Sequence, residues 1–232
     1  MSLFNCCNLR YAIWMALILA FVHDTAHAQD VQRRAEIEQC LPGEISTWGD
    51  GRDRPAVSAP MVFVYDHTAA PAWFDEVLVL AALQRSAAAW SRCGVPGEVL
   101  TVAAAAGSSI SGLSVSWSEA RSAGTFGLAN LTQRTLVLNP ASFQLLKTRN
   151  PAHDARETLQ MVISHEMGHL FGLVSHSRRC VDSTSNYDNG KGERCFARDP
   201  TLLRRFVEYR SSMPTACDIQ RCRIANGLPV AQ

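Results

Sequence analysis

The chain has 232 residues, 47% of them apolar and 19% charged, with a formal net charge of +1. This composition excludes an intrinsically disordered chain, which is poor in apolar residues and rich in net charge. With 22 Lys and Arg set against 21 Asp and Glu, it also argues against a nucleic-acid binder working through a basic surface.

In chain order, the first element is an export signal. Arg10 gives a small positive region, residues 11–22 are apolar, and Ala26-His27-Ala28 is a small-x-small cleavage pattern. Residues 1–28 therefore read as a signal peptide whose apolar part is too short for a membrane span. The product is expected to be secreted, into a periplasm or outside the cell. Cleavage leaves Cys40, Cys93, Cys180, Cys195, Cys217 and Cys222, an even set that reads as disulfides in an oxidising compartment. Cys40 and Cys93, in the N-terminal half, are expected to pair, and the other four to pair among themselves. On one helix Cys217 and Cys222 would point about 140° apart. Each is therefore expected to pair with Cys180 or Cys195 instead.

Residues 29–60 are polar and carry Gly and Pro, and read as an irregular entry segment ahead of a domain at 61–232. A short apolar run at 61–65 is a buried strand. Residues 71–94 read as a helix with the stripe Val77, Leu80, Leu83, Ala87 and Trp90, stopped by Gly94. Strands follow at 99–103, 113–117 and 135–138, the last ended by Asn139-Pro140, with an extended stretch at 124–131. Asp154 opens a helix, with Glu157 giving a start like a capping box. That helix runs to about Gly172 and buries Leu159, Ile163, Met167 and Leu170. Residues 175–194 form a polar loop, and Asp199-Pro200 opens a helix to about Tyr209. This order suggests an α+β fold with a cleft between a sheet half and an irregular C-terminal half. Plainer readings go to His67 and His153 (surface), Arg178-Arg179 and Arg204-Arg205 (solvated faces), 188–193 (a solvated turn rather than a calcium loop) and 108–111 (a loop).

The informative stretch is His165-Glu166-Met167-Gly168-His169-Leu170-Phe171-Gly172-Leu173-Val174-Ser175-His176. Residues four apart on a helix lie about 40° apart around the axis. His165 and His169 thus project side by side and can grip one metal ion, and imidazole nitrogen suits zinc. Glu166 is turned toward the flank of the metal, where a carboxylate reaches a water without being a ligand. That is the logic of His-Glu-x-x-His in metallopeptidases. Gly172 takes the left-handed conformation that ends a helix, and lets the chain turn back to deliver a third ligand. Three protein ligands and an open position make a catalytic zinc site. His176 is the expected third ligand, against Asp182, Asp188 and Glu193.

This stretch resembles the zinc-binding motif of the metzincin peptidases, matrixin-like members above all. Ser212-Met213-Pro214 is similar to their methionine turn beneath the zinc, Trp90-Ser91 to the end of their first long helix, and residues 218–227 to their closing helix. The resemblance spans about residues 61–227. It implies a twisted, mostly parallel five-stranded sheet with three main helices and an irregular C-terminal subdomain. It implies a secreted, monomeric zinc endopeptidase acting on protein or peptide substrates, with Glu166 as general base and acid. Residues 126–131 would be the sheet edge that pairs with the substrate backbone.

Two departures stand out. The family's third ligand falls at Ser175 here, and His176 comes one residue late. Where some members carry a tyrosine ligand, this chain has Thr215. Arg92-Cys93-Gly94-Val95-Pro96 looks like the cysteine switch of latent zymogens. It lies at the end of the first helix, so a structural disulfide is expected for Cys93. Two other readings use the same residues. One is a zinc-bearing binding or structural module without turnover, in which Glu166 would have no use. The other is a metal-dependent hydrolase of a non-peptide amide, such as a cell-wall bond. Neither nucleic acid nor stable membrane association is expected.

Overall fold

The computed structural model describes residues 31–106, 112–119, 125–203 and 209–230. The expected signal peptide, the loop at 108–111, and Arg204 and Arg205 lie outside the described residues.

Residues 31–38 are helical (α1) and lead into a largely irregular stretch. Five strands then form one sheet: Met61–Tyr65 (β1), Gly97–Thr101 (β2), Leu113–Trp117 (β3), Gly127–Asn130 (β4) and Thr135–Leu138 (β5), in the order β2-β1-β3-β5-β4. All neighbours are parallel except β4, which closes one edge antiparallel to β5. The fold is α+β with a mostly parallel five-stranded sheet, as expected. The apolar run of β1 does not alternate because both its faces are covered. In β3, Leu113, Val115 and Trp117 are buried while Ser114 is exposed and Ser116 partly so. The second strand begins two residues earlier than the pattern suggests. It ends at Thr101, whose hydroxyl accepts the Ala104 N–H and starts the short helix Val102–Ala105 (α3).

The first long helix is Glu76–Ser91 (α2), shorter than the expected 71–94 because Asp75 caps it, accepting from the Val77 and Leu78 N–H groups. Its buried face is Val79, Ala82, Leu83, Ser86, Ala87 and Trp90. Val77, placed on that face by the sequence reading, is 74% exposed. It lies two residues, about 200° of rotation, from Val79. A helix at Pro140–Arg149 (α4) was not expected. Asn139 caps it, with Pro140 in its first turn. The motif helix is Ala155–Leu170 (α5), capped by Asp154, which accepts from the Arg156 N–H. Asp199-Pro200 opens a 3-10 turn, Pro200–Leu202, and residues 204–208 of the expected helix lie outside the described residues, with Tyr209 beyond them helical. The closing helix is Ala216–Ala225 (α6), opened by a Thr215–Asp218 capping box. No described helix is long and apolar enough to cross a membrane.

α2 and α5 pack closely under the sheet. Trp90 Nε1 donates to Ser164 O at 2.9 Å. A Cβ on Gly168 would fall 2.7 Å from the Trp90 ring and 2.6 Å from Thr184 Cγ2, so the glycine inside the motif sets how near the helices come. Ser91 Oγ donates to Ala87 O at 2.7 Å and accepts the Gly97 N–H at 2.8 Å, joining the end of α2 to β2.

The disulfides overturn the expected scheme. Cys40 pairs with Cys217, Cys93 with Cys222, and Cys180 with Cys195. Cys217 and Cys222 point different ways, as expected, yet each reaches a cysteine of the N-terminal half, because α6 lies between the entry segment and the end of α2. Cys93 is thus in a structural bridge and is no switch. Arg179 is also misplaced by the sequence reading. It is fully buried, with Nη1 2.7 Å from Asp182 and Nη2 bonded to Glu36 O at 2.9 Å.

Candidate metal centre and active site

α5 ends in a Schellman cap. Leu173 N–H bonds Gly168 O at 3.0 Å and Gly172 N–H bonds His169 O at 3.1 Å, with Gly172 at φ 112°. The turn brings Leu173 O to His169 Nδ1, at 2.7 Å. His165 Nδ1 lies 2.8 Å from Ser183 O, and His176 Nδ1 lies 2.6 Å from Asp50 Oδ2. A carbonyl or carboxylate oxygen can only accept. Each ring therefore carries a proton on Nδ1, which leaves Nε2 as the atom that can serve a metal.

His165 Nε2 and His169 Nε2 are 3.2 Å apart. Both rings are held neutral. Burial, then the charge of Arg210 and the other two imidazoles, hold His165 well below the ordinary histidine value. Burial lowers His169 as well. Nitrogens about 2.0–2.1 Å from one tetrahedral ion stand about 3.3 Å apart. One ring nitrogen from each of His165, His169 and His176 lies within 4.8 Å of the others. The donor set, three imidazoles each with Nδ1 engaged by an oxygen acceptor, fits a divalent transition metal. His165 is buried, while His169 and His176 are partly exposed, so the triad opens on one side.

The competing carboxylates are engaged elsewhere. Asp182 is buried, held by Arg179 at 2.7 Å and by the Ser177 and Thr215 hydroxyls at 2.6 Å. Asp188 and Glu193 belong to an exposed turn, where they accept from the Gly190 N–H and the Asn189 amide. Met213 is half-buried in the turn before α6, its N–H on Ser211 Oγ at 3.2 Å. His67 bonds the Tyr65 hydroxyl and His153 the Thr158 hydroxyl.

Glu166 stands outside the triad and is 9% exposed. Its Oε2 accepts the Ala129 N–H at 2.8 Å. Burial raises its carboxyl pKa, against the pull of His169, the Ala129 N–H and Arg210. Burial pushes Arg210 itself down to about 10. β4, the antiparallel edge, can lie directly on α5 because residue 127 is glycine. A Cβ there would fall 2.5 Å from Val162 Cγ1 and 2.9 Å from Glu166 Cγ.

Sequence reasoning missed Asp50, Gly127 and Arg210. Asp50 lies between two glycines in a segment read as irregular, and nothing local ties it to a histidine 126 residues away.

No family model matches the chain, and no curated protein matches it either. Among solved structures it is similar to a chain of "GM1 bound form of the ECX AB5 holotoxin", at 12% identity over 72% of this chain and 79% of that one. The TM-score is 0.39, and a likeness that loose carries no argument about this chain.

Proposed function

We propose that this chain is a secreted zinc-dependent endopeptidase, with His165, His169 and His176 as metal ligands and Glu166 as general base and acid. The observation that carries the reading is the triad itself: three imidazoles with Nδ1 engaged, two Nε2 atoms 3.2 Å apart, and a buried carboxylate on the same helix. A bound zinc ion would polarise the scissile carbonyl and bring the pKa of a water down to about 7.

The remaining roles belong to the chain. Glu166, fixed through Oε2 by Ala129, has Oε1 left to take a proton from the attacking water and pass it to the leaving amine. Burial raises its pKa, which favours holding a proton between the two transfers. A peptide laid along β4 would pair its backbone with an edge strand that already touches the base. That edge favours a peptide over a non-peptide amide, which has no ladder to form. Digestion of a denatured protein mixture, with and without a chelator, tests the reading. Cleavage that stops on chelation and returns with zinc supports it, and absence of cleavage by zinc-loaded protein sinks it.

A further inference from the structure

We propose that residues 46–57, ahead of the first strand, are a permanent part of the metal centre, and that Asp50 is the positioning residue that brings His176 to the third corner. The inference rests on the metal-site reading above.

The segment runs antiparallel to the chain that leaves α5. Val57 N–H bonds Leu170 O at 3.1 Å, Arg54 N–H bonds Gly172 O at 3.1 Å, and Trp48 N–H bonds His176 O at 3.0 Å. In return Arg178 N–H bonds Ser46 O at 2.9 Å. Gly172 is pressed so close to the Arg54 carbonyl that no Cβ fits there. This strap is tied down separately, since Asp53 makes bonds of 2.6 and 2.7 Å to Arg221 on α6. The Cys40–Cys217 bridge joins the preceding residues to the same helix.

One carboxylate organises the loop. Asp50 Oδ2 takes the His176 ring at 2.6 Å, while Oδ1 takes the His176 N–H at 2.9 Å and the Ser175 hydroxyl at 2.8 Å. This explains how a ligand one residue late still reaches the site. Ser175, at the family's ligand position, turns its N–H and hydroxyl to the strap and its carbonyl to Arg221. Its N–H goes to Asp53 at 3.1 Å, its hydroxyl to Asp50, and its hydroxyl oxygen accepts the Gly49 N–H at 3.1 Å. The extra residue becomes a bulge with every polar group bonded, and His176 is presented instead. His165 and His169 are oriented by neutral carbonyls of the 173–183 stretch. Only His176 has a charged acceptor, and it comes from the far end of the chain.

The decisive variant is Asp50→Asn. An amide can still accept from Ser175 and from the His176 N–H, so the strap stays. Its NH2 group, however, faces Nδ1 and forces the proton onto Nε2, which removes the ligand lone pair. Zinc affinity, read by competition with a chromophoric chelator, should fall about 10–100-fold, with the melting temperature of the metal-free protein nearly unchanged. His176→Ala marks the full loss of the third ligand, and Asp50→Glu should recover part of the affinity. Intact mass of the active, zinc-loaded form should retain residues 46–57. Wild-type affinity in both Asp50→Asn and Asp50→Ala overturns this inference alone, as does an active zinc-loaded species lacking the strap. A wild-type protein that takes up no zinc overturns the metal-site reading and this inference together.

Discussion

The two sides of α5 are held by different forces. Above it, the sheet and α2 share one continuous apolar core that includes Met61, Phe63, Leu83, Trp90, Leu113, Leu138 and Phe143. Below it, the entry segment and residues 173–222 bury ionisable side chains. Glu36, Arg179, Asp182 and Asp218 are all within 2% of full burial, around a small cluster of Cys180, Val181, Cys195, Ala197 and Tyr209. Each disulfide has at least one cysteine in this lower half. The upper half is therefore stabilised by non-directional burial. The lower half relies more on directional bonds, where removing one partner leaves a buried polar group unpaired. The histidines lie where the two meet, with His165 and His169 on the helix and His176 on the bonded loop.

The largest expected effect is at that boundary. Glu166→Ala leaves the three imidazoles untouched, so zinc content should hold while kcat falls about 10²–10⁴-fold. Paired metal analysis and peptide kinetics check this, and near-normal turnover would refute the base assignment. Next comes the lower half's staple. Replacing Cys40 and Cys217 by serine opens a 177-residue loop, at a cost of about 4–5 kcal/mol. Limited proteolysis should then cut first among residues 31–60 while the sheet half resists. Initial cleavage in the sheet half would break the distinction drawn above. In the upper half, Leu83→Ala removes a fully buried side chain and should cost about 3 kcal/mol, read by denaturant unfolding, with no change in the susceptibility of residues 31–60.

A further effect is a slope. Burial, then the neighbouring Asp218 carboxylate, push Asp182 up to about 7 despite Arg179. The native state thus keeps a proton that the unfolded chain gives up near pH 4. Between roughly pH 4 and 7 the unfolded state binds fewer protons, so this group makes stability fall as pH rises, by at most about 1.4 kcal/mol per unit. Asp182→Asn should flatten that decline. An unchanged slope would mean that the pair ionises normally.

The same division explains what the sequence discloses. The strands and α5 show as apolar runs and a 3.6-residue period because burial against one core produces those patterns. His165, Glu166, His169 and His176 are legible because four of the site's groups fall within twelve residues and the spacing is a helix's. α4 leaves no stripe, burying only Ser142 and Phe143. Its Asn-Pro start is nevertheless written in the chain, where it reads equally as the end of a strand. Arg179 looks like any surface arginine until Asp182, Glu36 and Glu44 are seen around it. Cysteine partners, and the carboxylate behind His176, depend on which distant segments lie side by side. No local pattern encodes that.

The Cys40–Cys217 bridge also sets an order of events. In a chain that emerges from its N-terminus, Cys217 follows Cys40 by 177 residues, and His176 follows Asp50 by 126. Domains generally fold as units, the N-terminal one first. Here the earliest part of the fold must wait for one of the latest. The sheet and the two long helices can form beforehand, but the third imidazole gains its carboxylate, and the strap its anchor, only once α6 has arrived.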